Sequence, residues 1–246
     1  MRLGPFAFRP VLSALAALGV LVLLGLGTWQ VARLQWKTEL IARTEALAEA
    51  PPRRLRPTAY ETVRVNEDEI LVQADSPEEY APVFVTGGFP TDRVVHVSGT
   101  LGGAPGFYVF QPFKPDDASG LLLVNRGFVP ASERQDTYPL PSADRLTALL
   151  REYAKRGPLT PPPDADGRTA YDRSKASLTA PFADLAPPDA FGDVYLDSTL
   201  PTELPRGRTT RLDFSNRHLG YAITWYGLAG GLLLVFLLMS RERRRP

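Results

Sequence analysis

Residues 215–225 read SNRHLGYAITW and place His218 directly before an uncharged run, LGYAITWYGLAGGLLLVFLLMS, at 219–240. A second uncharged run, VLSALAALGVLVLLGLGT, occupies 11–28. As helices these runs would extend roughly 33 and 27 Å, close to the bilayer hydrocarbon core of about 30 Å. They predict transmembrane helices at 218–240 and 11–30. A cleaved signal peptide is the alternative for the first run, but no small-x-small cleavage site directly follows it.

The short ends of the chain are rich in arginine. These residues are Arg2 and Arg9 before the first run, and Arg241, Arg243, Arg244 and Arg245 after the second. Basic residues also flank the other ends of the two runs, but the positive-inside rule applies to short segments. We therefore expect a cytoplasmic N-terminus at 1–10 and a cytoplasmic basic tail at 241–246. The few residues before the first run are too short for an organellar transit peptide, which favours a bacterial inner membrane.

Composition excludes several classes of protein. The formal net charge is +1, so the chain lacks the strongly basic character that nucleic-acid binding requires. The sequence has no cysteine, which rules out disulfides, thiolate zinc sites and a cysteine nucleophile. Its two histidines are far apart, which argues against a multi-histidine metal centre. Sequence motifs of hydrolases, zinc proteases and nucleotide-binding enzymes are missing, and we expect a protein that is not an enzyme.

We expect residues 31–217 to form an external, periplasmic domain. A helical pattern continues from the first run to Pro51-Pro52, and short apolar segments bounded by turn residues follow. The predicted strands are ETVRV at 61, PVFVTG at 82, RVVHVSGTL at 93, GFYVFQPF at 106, LLLVNRGFV at 121, DVYLDST at 193 and RTTRLDF at 208. The spacing of leucines suits a helix in RLTALLREYAKRG, from 145, although it lies between strands, and the proline-rich stretch from 157 predicts a long loop. The predicted fold class is an α+β membrane protein in which two transmembrane helices flank a mostly antiparallel β domain.

Two features of the predicted strands could carry chemistry. His96 lies in mid-strand, where a lone histidine is usually structural. Asn125-Arg126-Gly127 follows four apolar residues and is interpreted as the close of a buried strand. Its glycine would then supply an unusual turn conformation, or its guanidinium would hold a carboxylate, and the sequence leaves both interpretations open.

His218 is the stronger candidate because of its position at the predicted outer interface. Tyr221 and Trp225 follow at i+3 and i+7, on the same helical side. An interfacial histidine often only extends to water, and aromatic side chains are common at this depth. The alternative is that a neutral imidazole on this aromatic side acts as an axial ligand to haem iron, while Arg217 and Arg33 neutralise the propionates.

Small residues in both runs suggest close helix packing. Gly227 and Gly231 form a G-x-x-x-G spacing in the second run, and Ser13 and Ala17 are candidates for the facing surface of the first.

Three motifs together resemble the surfeit-locus family of cytochrome c oxidase assembly proteins. They are Gly27-Thr-Trp29-Gln30-x-x-Arg33-x-x-Trp36-Lys37 at the end of the first run, Val124-Asn-Arg-Gly-Phe-Val-Pro130 in the middle, and Asn216-x-His218-Leu-x-Tyr221-Ala-x-Thr224-Trp225-Tyr-Gly-Leu-Ala229 at the second run. The resemblance covers the whole chain in order. It departs between 141 and 190, where the family's W-Y-W-type segment is missing, and it favours a strand rather than a helix for LTALLRE.

The resemblance implies an inner-membrane chaperone for the haem a/copper oxidase of the respiratory chain. The implied cofactor is haem a, and the implied partners are the catalytic subunit of the oxidase, haem a synthase and membrane lipid. It also implies a haem-binding role for His218, as the axial ligand, with Tyr221, Trp225, Arg217, Trp29 and Arg33 as supporting residues. The alternative is a haem-free membrane scaffold that stabilises an oxidase subunit through the external domain.

Overall fold

The computed structural model describes residues 9–55, 78–141, 145–164, 166–210 and 216–241, together with the backbone of 2–3, 6–7, 60–65 and 68–73. The helices are α1 Pro10–Ala48, α2 Lys175–Thr179 and α3 His218–Ser240, with short 3₁₀ turns at Ala131–Glu133, Ala180–Phe182 and Pro188–Ala190. The strands are β1 Arg2–Leu3, β2 Phe6–Ala7, β3 Arg53–Arg54, β4 Tyr60–Val65, β5 Asp68–Gln73, β6 Pro82–Val85, β7 Gly87–Gly88, β8 Val95–Leu101, β9 Ala104–Pro115, β10 Leu121–Pro130, β11 Leu146–Glu152, β12 Thr169–Ala170 and β13 Phe191–Ser198.

The chain forms two compact units. The helical unit comprises 1–45 and 212–246 and contains most of α1 and all of α3, and the β unit comprises 46–211. Among the described residues, α1 and α3 are long and apolar enough to cross a membrane, and almost none of their most apolar stretches is buried within protein. A soluble protein would not leave such surfaces exposed. The chain is an α+β membrane protein, as the sequence predicts.

The first helix is longer than a membrane requires. It runs unbroken for 39 residues, so it extends well past the apolar run and ends just before Pro51-Pro52. A proline has no backbone N–H and its ring collides with the preceding turn, which stops the helix there.

The β unit is built on one mixed sheet with the order β12-β8-β9-β10-β13-β11-β6-β3, and β7 pairs with β9. Most neighbours are antiparallel, as predicted, but β10–β13, β12–β8 and β3–β6 are parallel. The hairpin β8–β9 turns through Gly102 and Gly103, both at positive φ. The backbone of β4 and β5 forms a separate antiparallel pair.

Hydrophobic side chains cover both faces of the central strand β10. Leu122 and Val124 pack with side chains of β6, β9, β11 and β13 on one face. Leu121 and Leu123 belong to the other face, which α2 and the next 3₁₀ turn cover with Leu178 and Phe182. Because side chains alternate along a strand, a strand covered on both faces has a continuous apolar sequence, which explains LLLV at 121–124.

The structure decides one open assignment in the sequence. LTALLRE is the strand β11, because Leu146, Ala148 and Leu150 alternate into the core shared with β6 and β13. The helix alternative for this segment is wrong. Its apolar residues also recur at every second position, as in a strand, and β6 and β13 pair with it on either side.

Three other expectations need correction. Asn125-Arg126-Gly127 does not close a strand: β10 continues to Pro130, and its pairing with β9 is irregular between Asn125 and Phe128, as in a β-bulge. The strand predicted from 208 is missing over 208–210, where Arg208 has a φ of 56°, and the rest of that segment lies outside the described residues. The long loop from 157 includes a short strand, β12, and leads into α2.

Candidate functional site

The residues of α1 and α3 that face each other recur mostly at spacings of three and four along each helix. On α1 the buried or half-buried positions include Ser13, Ala16, Val20, Leu23, Gly27, Gln30 and Leu34, and on α3 they include His218, Ala222, Trp225, Ala229, Leu232 and Phe236. This is the spacing of antiparallel helices that pack side chain into groove along a narrow stripe.

Glycines of α1, rather than those of α3, allow the close approach. A Cβ at Gly27 would lie 2.8 Å from Tyr226 Cε1, and one at Gly19 would lie 2.9 Å from Leu232 Cδ2. A Cβ at Gly227 or Gly231 would meet no atom within 4 Å. The predicted role of the G-x-x-x-G spacing is therefore wrong. Of its two expected counterparts on α1, Ser13 is half-buried in the interface and Ala17 is exposed.

Polar side chains link the two helices at one end of this interface. Thr28 Oγ1 lies 3.1 Å from Tyr226 Oη. Asn216 Nδ2 donates to Thr38 Oγ1 at 3.1 Å. Between these two contacts, the Nδ1 atom of His218 lies 2.7 Å from Oε1 of Gln30.

His218 is the first residue of α3 and is half-buried. Its partner Gln30 is 9% exposed and is one of the two buried residues of α1 among those described. Within the described ranges no hydrogen bond reaches the other ring nitrogen, Nε2. The imidazole is therefore held on one edge and has a free nitrogen on the other.

Among the described residues, none of the other predicted site residues is in hydrogen-bonding contact with His218, and they differ in exposure. Trp225 is half-buried in the interface, whereas Tyr221 is 56% exposed on the flank of α3. Trp29 is 57% exposed, and Arg33 stacks on Trp36 with its guanidinium carbon 3.9 Å from the ring centroid.

Arg217 precedes the helix and is exposed. Sequence reasoning did not select Gln30, although it is the first carboxamide after the apolar run and lies beside Trp29 in the first motif.

The other histidine of the chain, His96, is a structural residue of the β unit. His96 is buried, its Nε2 lies 3.0 Å from Tyr138 Oη, and its ring contacts Phe107 edge-on. Burial lowers the pKa of His96 to about 4, and the nearby charge of Arg134 acts in the same direction. The imidazole is therefore neutral at physiological pH, as expected of a core histidine.

Arg126 is buried but does not hold a carboxylate. Its guanidinium donates to Gln111 Oε1 at 2.8 Å and to the backbone oxygens of Tyr138 and Pro139. Burial lowers its pKa to about 10. Arg126 therefore fastens the 131–141 segment to the sheet, and the carboxylate grip considered for it is not found among the described residues.

These observations define a two-helix membrane protein with a sheet domain between the helices and one histidine fixed where the helices meet. A family model described as the SURF1 family matches residues 17–230. Surfeit locus protein 1 of Rattus norvegicus is 32% identical over 83% of this chain and 67% of the rat protein. The Homo sapiens protein of that name is 30% identical over 83% of this chain and 69% of its own length, and a SURF1-like protein of Monosiga brevicollis is 27% identical over 90% and 84%. The chain belongs to the SURF1 family of cytochrome c oxidase assembly factors, which confirms the resemblance of the three motifs.

Proposed function

We propose that this protein binds haem a through His218 and assists its delivery to, or retention in, the catalytic subunit of cytochrome c oxidase. The observation that carries the proposal is the free Nε2 of His218, a half-buried imidazole at the start of α3 whose other nitrogen is held by Gln30. An imidazole nitrogen is a common axial ligand of haem iron. Membership of a family of cytochrome c oxidase assembly factors supports the choice of haem a as the ligand.

The residues around His218 suit this cofactor. His218 would hold the iron of haem a through Nε2, and cationic side chains nearby would hold its two propionates. Trp225, two helical turns further along α3, offers an aromatic surface in the same helix interface. In the part of the chain that the structure describes, Arg217 and Arg33 form no ion pair, so both charges are available for propionates. Tyr221 and Trp29, both largely exposed, would offer further aromatic surface to the porphyrin.

The proposed location is the bacterial inner membrane, with both termini in the cytoplasm and the β unit in the periplasm. Support comes from the arginines at the two short ends of the sequence. Because α1 and α3 are long and apolar enough to cross a membrane, we propose the oxidase catalytic subunit and haem a synthase as partners within the lipid bilayer. The proposed role is that of a chaperone and not of an enzyme.

The test is the visible spectrum of the full-length protein purified from cells that make haem a. We expect haem a to copurify with the wild type and to be lost from His218→Ala. Leu219→Ala is the matched control, because Leu219 lies in the same turn and is exposed, so its truncation should leave haem content unchanged. Haem a retained by His218→Ala would overturn the role of this histidine. A colourless wild type that still captures the oxidase subunit would instead establish the haem-free scaffold.

A further inference from the structure

The contact between α1 and α3 determines which nitrogen of His218 carries a proton. An amide oxygen has lone pairs and no hydrogen, so Gln30 Oε1 only accepts. At 2.7 Å the contact with His218 Nδ1 is therefore an N–H···O hydrogen bond with the proton on Nδ1. In a neutral imidazole the other nitrogen, Nε2, then has the lone pair.

We propose that Gln30 is a positioning residue that fixes His218 in the Nδ1–H tautomer and aims the lone pair of Nε2 at the ligand. The inference rests on the proposed function only for the identity of the ligand as haem iron. Histidines that bind metals commonly donate their second N–H to a fixed acceptor, which orients the ring and strengthens the bond to the metal.

Several features make Gln30 suited to this role. It is buried in α1, so water competes little for its carboxamide. Its neighbour on the interface stripe, Gly27, brings α3 close to α1 by packing against Tyr226. The acceptor and the imidazole lie on different helices, so the hydrogen bond also makes the orientation of His218 depend on the pairing of α1 with α3.

The tautomer is measurable without haem. Full-length protein, labelled with ¹⁵N-histidine and purified from cells that cannot make haem a, should give ring signals from only two histidines. The His96→Gln variant assigns them. At a pH where the ring is neutral, we expect His218 to show a protonated Nδ1 and an unprotonated Nε2. A protonated Nε2 would mean that the carboxamide donates its N–H to Nδ1 instead, and would overturn the inference whatever the haem content.

Variants of Gln30 then connect the tautomer to the ligand. Gln30→Leu removes the acceptor within an apolar helix, so we expect a loss of the Nδ1–H tautomer and haem a affinity weaker by about 10–100-fold. Gln30→Glu keeps an acceptor oxygen, so it should keep the tautomer and retain haem a. It should also lower the reduction potential of the haem, because a carboxylate on Nδ1–H makes Nε2 a stronger electron-pair donor to the iron. Thr28→Val removes the neighbouring contact with Tyr226 and should change neither the tautomer nor the potential.

The outcomes separate the two proposals. Haem a binding that is unchanged in Gln30→Leu, after its tautomer has shifted, would overturn the positioning role and leave haem binding by His218 intact. Haem a retained by His218→Ala would overturn haem binding through His218, while the tautomer spectrum would still report on the Gln30 contact. Circular dichroism of each variant checks that the helices are preserved.

Discussion

The ring of Tyr226 on α3 lies against the backbone of Gly27 on α1, and its hydroxyl lies 3.1 Å from Thr28 Oγ1. One aromatic residue therefore supplies both close packing and a polar contact between the two helices. In a membrane such contacts decide helix pairing. Lipid tails are as apolar as the side chains, so moving a side chain from lipid to a helix interface gives no hydrophobic stabilisation.

Gly27→Ala should weaken the helix pair. The new Cβ would lie 2.8 Å from the Tyr226 ring, and overpacking of this kind costs about 1–3 kcal/mol. Gly25→Ala is the matched control, since its Cβ meets no atom within 4 Å and alanine favours the helix. The free energy of unfolding in mixed micelles titrated with SDS measures both variants. Equal losses at the two positions would contradict the packing described for Gly27.

The hydroxyl pair of Thr28 and Tyr226 should show a measurable coupling energy. A double-mutant cycle with Thr28→Val and Tyr226→Phe isolates it, and polar pairs between transmembrane helices average about 0.6 kcal/mol. Thr224→Val serves as the control for hydroxyl loss, because Thr224 Oγ1 donates to Gly220 O of its own helix. A coupling of zero between Thr28 and Tyr226, in the same unfolding assay, would show that the two hydroxyls do not interact.

The sequence predicted the two helices well, but it predicted poorly which face of each helix contacts the other. Charge-free runs of sufficient length define α1 and α3 because a bilayer tolerates few other segments. Which glycines face the partner depends on the rotation of each helix, which is set by contacts such as that of Gly27 with Tyr226. The same reason hides Gln30: its importance comes from a residue 188 positions away in sequence.

Strands were easier to predict than their order. Alternation and turn residues located β8, β9 and β10, whereas the parallel pairing of β10 with β13 joins segments 70 residues apart, as in Leu121 with Phe191. Local patterns do not encode such pairs. His218 was selected from its position before the second apolar run, and its role in binding stays a prediction. The three motifs predicted the family, which the match to the family model confirms.

The stability of the β unit should fall as the pH drops from 6.5 towards 4, in part because of His96. Its pKa is lowered from 6.5 to about 4 in the folded state, so the unfolded chain binds a proton in this range and the folded protein does not. This contribution to stability is fully present above pH 6.5 and is lost progressively below it, and the loss reaches about 3 kcal/mol below pH 4.

His96→Gln should remove this part of the pH dependence, and the difference between the thermal unfolding curves of the two proteins isolates it from carboxylate titration. A direct check is the ¹⁵N signal of the His96 ring, which should remain that of a neutral imidazole down to about pH 4. A ring that titrates near 6.5 in the folded protein would contradict this prediction.

Among the described carboxylates of the β unit, Asp197 should be the most costly to remove. It is 2% exposed and accepts hydrogen bonds from Asn125 Nδ2 at 2.8 Å, Arg151 at 3.1 Å and Thr210 Oγ1 at 2.9 Å. Asp197→Ala leaves these donors without their shared acceptor, and breaking a buried ion pair by removing one partner costs about 3–5 kcal/mol.

Two variants separate the charge of Asp197 from its position. Asp197→Asn keeps the shape and one acceptor oxygen, so its loss should be smaller than that of Asp197→Ala. Asp193→Ala removes a neighbouring carboxylate of β13 whose side chain is 79% exposed and whose contact with Lys175 is worth at most about 1 kcal/mol. Hydrogen exchange of peptides from β10 and β13 in the full-length protein measures the local opening free energy. Asp197, on β13, has hydrogen bonds to side chains of β10 and β11, whereas in the described part of the chain Asp193 has neither. Similar protection in Asp197→Ala and Asp193→Ala would therefore show that Asp197 does not hold β13 to its neighbouring strands.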